Sequence, residues 1–199
     1  MTVADKVTFL RIILAPVFFT VFLLAESNIL GADGVSMFSN AFFLAVIWLL
    51  FVVIECSDWF DGMIARSRNE VSDFGKLLDP FADTLVRVMY FLCFVYIRIL
   101  PVIPFLVILY REFGVLFIRI MMMKKGVAMG ARRGGKLKAV FYMLTGLVCL
   151  LLVSLEGLGI NGPLEILRLA SFIIFICAMT ISVVSFIDYY LLYRRTAKK

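Results

Sequence analysis

The chain has 199 residues, 63% of them hydrophobic, with a net charge of +6 and no histidine. A water-soluble domain of this size has no use for so much apolar surface, so the composition points to a polytopic membrane protein built as one domain over residues 1–199. The missing histidine excludes Ser-His and Cys-His nucleophiles and His-ligated metals, leaving acid–base work to carboxylates, lysines and tyrosines. The positive balance suits an anionic membrane surface or anionic substrates, and nothing resembles a nucleic-acid module.

The predicted fold is all-α: six transmembrane helices of about 20 residues each and a short N-terminal juxtamembrane helix. That short helix is Ala4–Arg11, made polar on one side by Asp5, Thr8 and Arg11. Phe9–Ala25 is the first apolar run and, with no convincing cleavage site after it, a retained span. Asn40–Cys56 and Phe81–Ile97 are the second and third, and both are expected to continue as helix into the polar stretch between them. Ile103–Met123 is the fourth, with Arg111, Glu112 and Arg119 inside it; charges within a membrane are costly and point to function, a packing pair between Arg111 and Glu112 being the plainer reading. Leu137–Leu155 is the fifth, preceded by Gly135 and Lys136, with Lys138 in its first turn. Leu167–Tyr190 is the sixth. Cys56, Cys93, Cys149 and Cys177 all lie in apolar runs without a C-x-x-C pair, and are expected to be small buried side chains.

Positive residues set the orientation. Arg66, Arg68 and Lys76 lie between spans two and three, Lys124, Lys125, Arg132, Arg133 and Lys136 between four and five, and Arg194, Arg195, Lys198 and Lys199 at the C-terminus. The alternate connections hold almost none. Both termini and the polar stretch are therefore expected on the cytoplasmic side.

The polar stretch, Asp58 to Asp83, holds five aspartates, one glutamate and three basic residues between apolar runs. Asp58 and Asp61 are three residues apart, Asp79 and Asp83 four, so on helices each pair shares one face. The polar segment from Arg66 to Ser72 lets the two helices fold back, bringing four carboxylates to one small volume. So many like charges need a cation between them, and carboxylate oxygens favour Mg²⁺ or Mn²⁺; two such ions could clamp a phosphoryl transfer. Gly62, Ala65 and Gly75 leave room for a ligand to lie against backbone, and Arg66 is placed to meet an anion. Ser72 is a candidate cap for the third helix. Pro80 would kink that helix if it started near Ser72, and would be tolerated if it started later. Arg87, four residues beyond Asp83, either neutralises Asp83 or holds a substrate phosphate.

The order D-x2-D-G-x2-A-R-x8-G-x3-D-x3-D resembles the signature of the CDP-alcohol phosphotransferases, filled here by Asp58, Asp61, Gly62, Ala65, Arg66, Gly75, Asp79 and Asp83. The segment R-E-F-G-V-L-F-I-R from Arg111 to Arg119, and Gly135-Lys136-Leu137-Lys138, resemble segments of the phosphatidylglycerophosphate synthases within that family. The resemblance implies a phosphatidyltransferase of phospholipid biosynthesis: CDP-diacylglycerol gives its phosphatidyl group to an alcohol and CMP leaves, with two divalent ions, Mg²⁺ or Mn²⁺, held by Asp58, Asp61, Asp79 and Asp83. Asp83 is the candidate base. The resemblance places Thr8, Asp61, Gly62, Ala65, Arg66, Ser72 and Gly75 at the CDP-diacylglycerol. At the N-terminus the family's Asn-x-x-Thr-x-x-Arg is met by Thr8 and Arg11, while Asp5 stands for Asn. Arg111, Arg119, Lys136, Lys138 and Arg87 are candidates for a phosphate on the acceptor, which favours sn-glycerol 3-phosphate. Inositol phosphate is the close competitor; serine or choline would need less positive charge. Thr84 stands where many glycerophosphate-using relatives have Lys. The resemblance also implies a homodimer in a bacterial-type inner membrane. A divalent-cation transporter is the reading from another class, but the chain has no internal repeat, and transport would not require Gly62, Ala65, Arg66 and Gly75.

Overall fold

A helix that packs in a bundle buries one stripe against its neighbours and leaves the rest outward, and the six apolar runs fold as helices of that kind. The structure, a computed structural model, describes residues 3–26, 38, 40–68, 75–124, 126, 133–160 and 162–197; the side chains at 3, 4, 58–68, 76, 77, 133, 134, 136, 196 and 197 lie outside that description. Among the described residues there are six α-helices: α1 (Val3–Glu26), α2 (Ala41–Arg68), α3 (Gly75–Tyr96), α4 (Val102–Lys124), α5 (Arg133–Gly157) and α6 (Leu164–Ala197). The all-α expectation holds, and each apolar run lies in its own helix save Asn40, one residue before α2, and Ile97, one residue after α3.

Among the described residues, three helices contain stretches long and apolar enough to cross a membrane: Asp5–Glu26, Leu137–Gly157 and Leu164–Arg195. Among the described residues α2 contributes a shorter apolar stretch, Ala41–Ser57. α3 and α4 are interrupted by ionisable residues, Asp79, Asp83 and Arg87 in one and Arg111, Glu112 and Arg119 in the other. The expected separate juxtamembrane helix is instead the first turns of α1. No glycine or proline stands between Val3 and Arg11 to break it, and Pro16, further along, is carried inside the helix.

The chain divides into two compact units, Met1–Cys93 with Leu150–Ile166, and Phe94–Cys149 with Leu167–Lys199. In the first, α1 buries Ala15, Phe18, Phe22 and Ala25, and α2 buries Leu44, Ile47, Phe51 and Ile54. Both sets follow the three-and-four spacing of one helix face. The rings of Phe18 and Phe51 meet Tyr90 of α3 at 4.7 and 5.2 Å between centroids. Trp48 donates from Nε1 to Ser154 Oγ at 2.9 Å, which satisfies the polar edge of a half-buried indole. Gly157 ends α5 against the backbone of Phe38, whose carbonyl carbon would lie 2.7 Å from any Cβ there, so this close approach requires glycine.

In the second unit, α4 buries Phe105, Ile108, Arg111, Glu112, Val115, Ile118 and Met122, while α6 buries Ser171, Phe175, Ala178, Ser182, Ser185 and Tyr189. Gly114 lets α4 approach α6, since a Cβ at that position would stand 3.0 Å from the Phe186 ring. The end of α3 is closed by Arg98 in the left-handed region at φ 63°, with Ile99 and Leu100 both donating to the Phe94 carbonyl at 2.9 and 3.1 Å. This reversal consumes carbonyls the helix end would otherwise leave bare. Cys93 and Cys149 are buried as expected; Cys56 and Cys177 are exposed, on outward helix faces where an apolar side chain meets lipid as readily as core.

Candidate functional site

The buried stripe of α1 changes character along its length. Ala15, Phe18, Phe22 and Ala25 continue toward the N-terminus as Arg11, Thr8 and Asp5, also buried. A fully buried guanidinium in such a place needs anionic partners, and α3 supplies two. Arg11 donates from Nη2 to Asp79 Oδ1 at 2.6 Å and from Nη1 to Asp83 Oδ1 at 2.8 Å. Asp79 and Asp83 are four residues apart and face the same way, so one cation spans both. Their side chains remain 53% and 49% exposed, against 2% for Arg11. The two carboxylates thus converge on one point while staying open to a ligand.

α3 begins at Gly75, with Pro80 inside it. The helix absorbs the proline near its start, where few backbone bonds are lost, and Thr84 Oγ1 donates back to the Pro80 carbonyl at 2.9 Å. The backbone of α2 is helical through Arg68, so Asp58, Asp61, Gly62, Ala65 and Arg66 all lie on it, as expected. Their side chains, and Ser72 with the rest of the connection, lie outside the described residues. Among the described residues no three carboxylates, thiols or imidazoles cluster. The donor set that is described fits a hard divalent cation: all-oxygen, anionic, half-open, and brought close enough for one guanidinium to bridge.

A charge pair that the sequence did not announce lies one turn further along both helices. Arg87 donates from Nη1 to Glu55 Oε1, and from Nη2 to Glu55 Oε2 at 2.9 Å. Each guanidinium nitrogen takes one carboxylate oxygen, the bidentate fork that gives such pairs their strength and geometry. Both side chains are nearly closed off, 13% and 14% exposed. Glu55 precedes Asp58 by three residues; its signal was a carboxylate at helical spacing from the motif.

The second unit holds a separate polar cluster. Arg111 Nε donates to the Ser182 carbonyl at 2.9 Å, its Nη1 to Glu112 Oε1 at 2.9 Å and its Nη2 to Ser185 Oγ at 3.1 Å. Lys138 Nζ reaches both oxygens of Glu112, at 2.8 and 2.9 Å. Tyr142 donates its hydroxyl toward Glu112 Oε1 at 2.9 Å and lies 2.8 Å from Ser182 Oγ. Arg119 donates from Nη2 to the Tyr189 hydroxyl at 3.1 Å. A Cβ at Gly135 would sit 3.8 Å from that same hydroxyl. Arg111, Glu112, Arg119 and Lys138 are therefore brought into one unit on α4, α5 and α6, while the Lys136 side chain lies outside the described residues. The expected Arg111–Glu112 pair is present, while Tyr142, Ser182, Ser185 and Tyr189 are members of this network that sequence reasoning left unassigned; serines and a tyrosine three and four apart on α6 were the available sign.

The family model described as CDP-alcohol phosphatidyltransferase matches residues 1–184. The CDP-diacylglycerol–glycerol-3-phosphate 3-phosphatidyltransferase of Treponema pallidum (strain Nichols) is 35% identical over 95% of this chain and 88% of its own length. The protein of the same name from Bacillus subtilis (strain 168) is 33% identical over 67% of this chain and 68% of its own. That from Rickettsia typhi (strain ATCC VR-144 / Wilmington) is 37% identical over 56% and 62%.

Proposed function

The chain belongs to the CDP-alcohol phosphatidyltransferase family, and from that premise we propose that it moves the phosphatidyl group of CDP-diacylglycerol to sn-glycerol 3-phosphate. CMP is released and phosphatidylglycerophosphate is formed. The observation that carries this reading is the convergence of Asp79 and Asp83 on Arg11 at the end of a helix pair, together with relatives named for this reaction along nearly the whole chain.

The register of α2 against α3 supports the four-carboxylate site. Phe51 of α2 meets Tyr90 of α3, and Glu55 meets Arg87. As the index rises along α2 it falls along α3, the pattern of antiparallel helices. One more turn puts Asp58 level with Asp83, and a further one puts Asp61 level with Asp79. Asp58, Asp61, Asp79 and Asp83 would hold two divalent ions, Mg²⁺ or Mn²⁺. When bound, these supply Lewis acidity at the pyrophosphate and neutralise charge on the departing CMP. Thr8, Gly62, Ala65, Arg66, Ser72 and Gly75 line the CDP-diacylglycerol.

In the reaction, Asp83 takes the proton of the acceptor hydroxyl. That oxygen bonds to the phosphorus bearing diacylglycerol, the phosphorus–oxygen bond to CMP breaks, and CMP leaves as its anion. With no histidine in the chain, a carboxylate is the natural base. Arg111, Arg119, Lys136 and Lys138 are the cations proposed to recognise the phosphate of the acceptor, since charge-assisted hydrogen bonds would distinguish it from an uncharged alcohol. All six helices span the bilayer, the termini and the aspartates face the cytoplasm, and the protein acts as a homodimer in the inner membrane. The positive residues between spans two and three, between four and five, and at the C-terminus support this orientation.

The test is CMP release by purified protein with Mg²⁺ or Mn²⁺, offering glycerol 3-phosphate, inositol phosphate, serine and glycerol in separate reactions. Release with glycerol 3-phosphate alone is the expected result. Release with another acceptor keeps the chemistry and changes the product. No release with any acceptor from folded, metal-supplied protein overturns the proposal.

A further inference from the structure

Arg87 follows Asp83 by four residues on α3, so the two side chains are neighbours on one helix face, and the charge of Asp83 is close enough to act on the guanidinium. Yet the guanidinium forks onto Glu55 of the facing helix. Asp83 already receives Arg11 at 2.8 Å. A second guanidinium there would put two fixed cations on the carboxylate that is to meet a divalent ion, and like charges at such distances repel strongly inside a protein.

We infer that Glu55 is a positioning residue: its carboxylate holds the Arg87 guanidinium away from Asp83 and so keeps Asp83 available to the metal and the acceptor proton. This rests on the reading of Asp79 and Asp83 as metal carboxylates. It differs from a merely structural pair in one respect. A structural Glu55 matters because Arg87 must have a partner, whereas here Glu55 matters because of where Arg87 goes without it. When Glu55 loses its charge, the nearest carboxylate on the guanidinium's own helix face is Asp83.

The experiment measures Mn²⁺ binding to the purified full-length protein in nanodiscs, reading free Mn²⁺ by electron paramagnetic resonance. It compares the wild type with Asp79→Asn, Glu55→Gln, Arg87→Gln and the double variant Glu55→Gln/Arg87→Gln. Metal affinity is read rather than turnover, so any role of Arg87 at the acceptor does not enter. Glu55→Gln is expected to weaken Mn²⁺ binding by about tenfold or more, the effect of one added charge a few ångströms away. Arg87→Gln is expected to bind at least as tightly as wild type. The double variant is expected to return to within about threefold of wild type, because no guanidinium remains to compete.

Unchanged binding in Glu55→Gln, or a double variant as weak as Glu55→Gln, overturns the inference while leaving the metal reading intact. Absence of binding in the wild type, or binding indifferent to Asp79→Asn, overturns the metal reading and the inference with it. If Glu55→Gln alone fails to fold, the Arg87→Gln background carries the test. Adding Glu55→Gln there must leave affinity unchanged, and a further loss would mean that Glu55 acts as scaffold only.

Discussion

Glu112→Ala is the substitution with the most computable consequence. Its Oε1 accepts from Arg111 at 2.9 Å, from Lys138 at 2.8 Å and from Tyr142 at 2.9 Å, while Oε2 accepts from Lys138 at 2.9 Å. The side chain is 6% exposed. Removing it strands one buried guanidinium and one largely buried ammonium, and breaking a buried ion pair by deleting one partner costs about 3–5 kcal/mol. The equilibrium between unfolded and folded protein then shifts by roughly two to three and a half powers of ten. Tyr142→Phe removes only the hydroxyl's two contacts, with Glu112 and Ser182, each about 0.5–1.5 kcal/mol, and therefore costs less. The assay is unfolding by sodium dodecyl sulfate in mixed micelles, followed by tryptophan fluorescence. A Glu112→Ala midpoint coinciding with wild type, or a smaller loss than in Tyr142→Phe, would refute the view that this carboxylate is the keystone of the second unit.

Other outcomes follow from the same geometry. Asp83→Asn should lower CMP release by about 10²–10⁴-fold, as expected for loss of a general base, with the far-ultraviolet circular dichroism unchanged. Arg119→Gln should raise KM for glycerol 3-phosphate by about tenfold, the value of a charge-assisted hydrogen bond, and leave KM for CDP-diacylglycerol alone; equal rises in both would remove Arg119 from the acceptor site. Ethylenediaminetetraacetate should abolish turnover, and Mg²⁺ or Mn²⁺ should restore it, whereas persistent activity in chelator would end the metal proposal. Gly157→Ala should cost about 1–3 kcal/mol, the usual penalty of overpacking, because the new Cβ meets the Phe38 backbone.

Much of this was legible from composition and spacing. The six apolar runs are long enough that each announces a helix, and Asp79 and Asp83 at four-residue spacing announce a shared face. The ends were harder to read. α1 begins at Val3 rather than after a separate segment, and α6 continues to Ala197, because polar residues extend a helix without any apolar signature to mark them. Partner choice was harder still. Arg11 was legible only as part of the polar face of the first segment, and nothing local joins it to Asp79 and Asp83 across some seventy residues. Glu55 sits at the edge of an apolar run, so its pairing with Arg87 is a property of helix register, not of either segment. Ser182, Ser185 and Tyr189 passed as ordinary residues of a span because a hydroxyl in a helix can bond to its own backbone; only the approach of α4 makes them partners of arginine.

The four carboxylates seen here in ion pairs with the arginines and Lys138 separate by access. Glu55 and Glu112 are 14% and 6% exposed, and each is closed over by the cations it receives. Asp79 and Asp83 are 53% and 49% exposed although each also meets an arginine. Burying an ionised group is tolerated when its partners satisfy it, and such a group is thereby unavailable to a ligand. The longer glutamates reach a partner within the helix bundle and are spent on holding it together. The shorter aspartates stand at the helix ends, where Arg11 gathers them without enclosing them. This division, more than the number of acidic residues, is what makes the end of α3 rather than the middle of α4 the place where a cation and a nucleotide phosphate can be received.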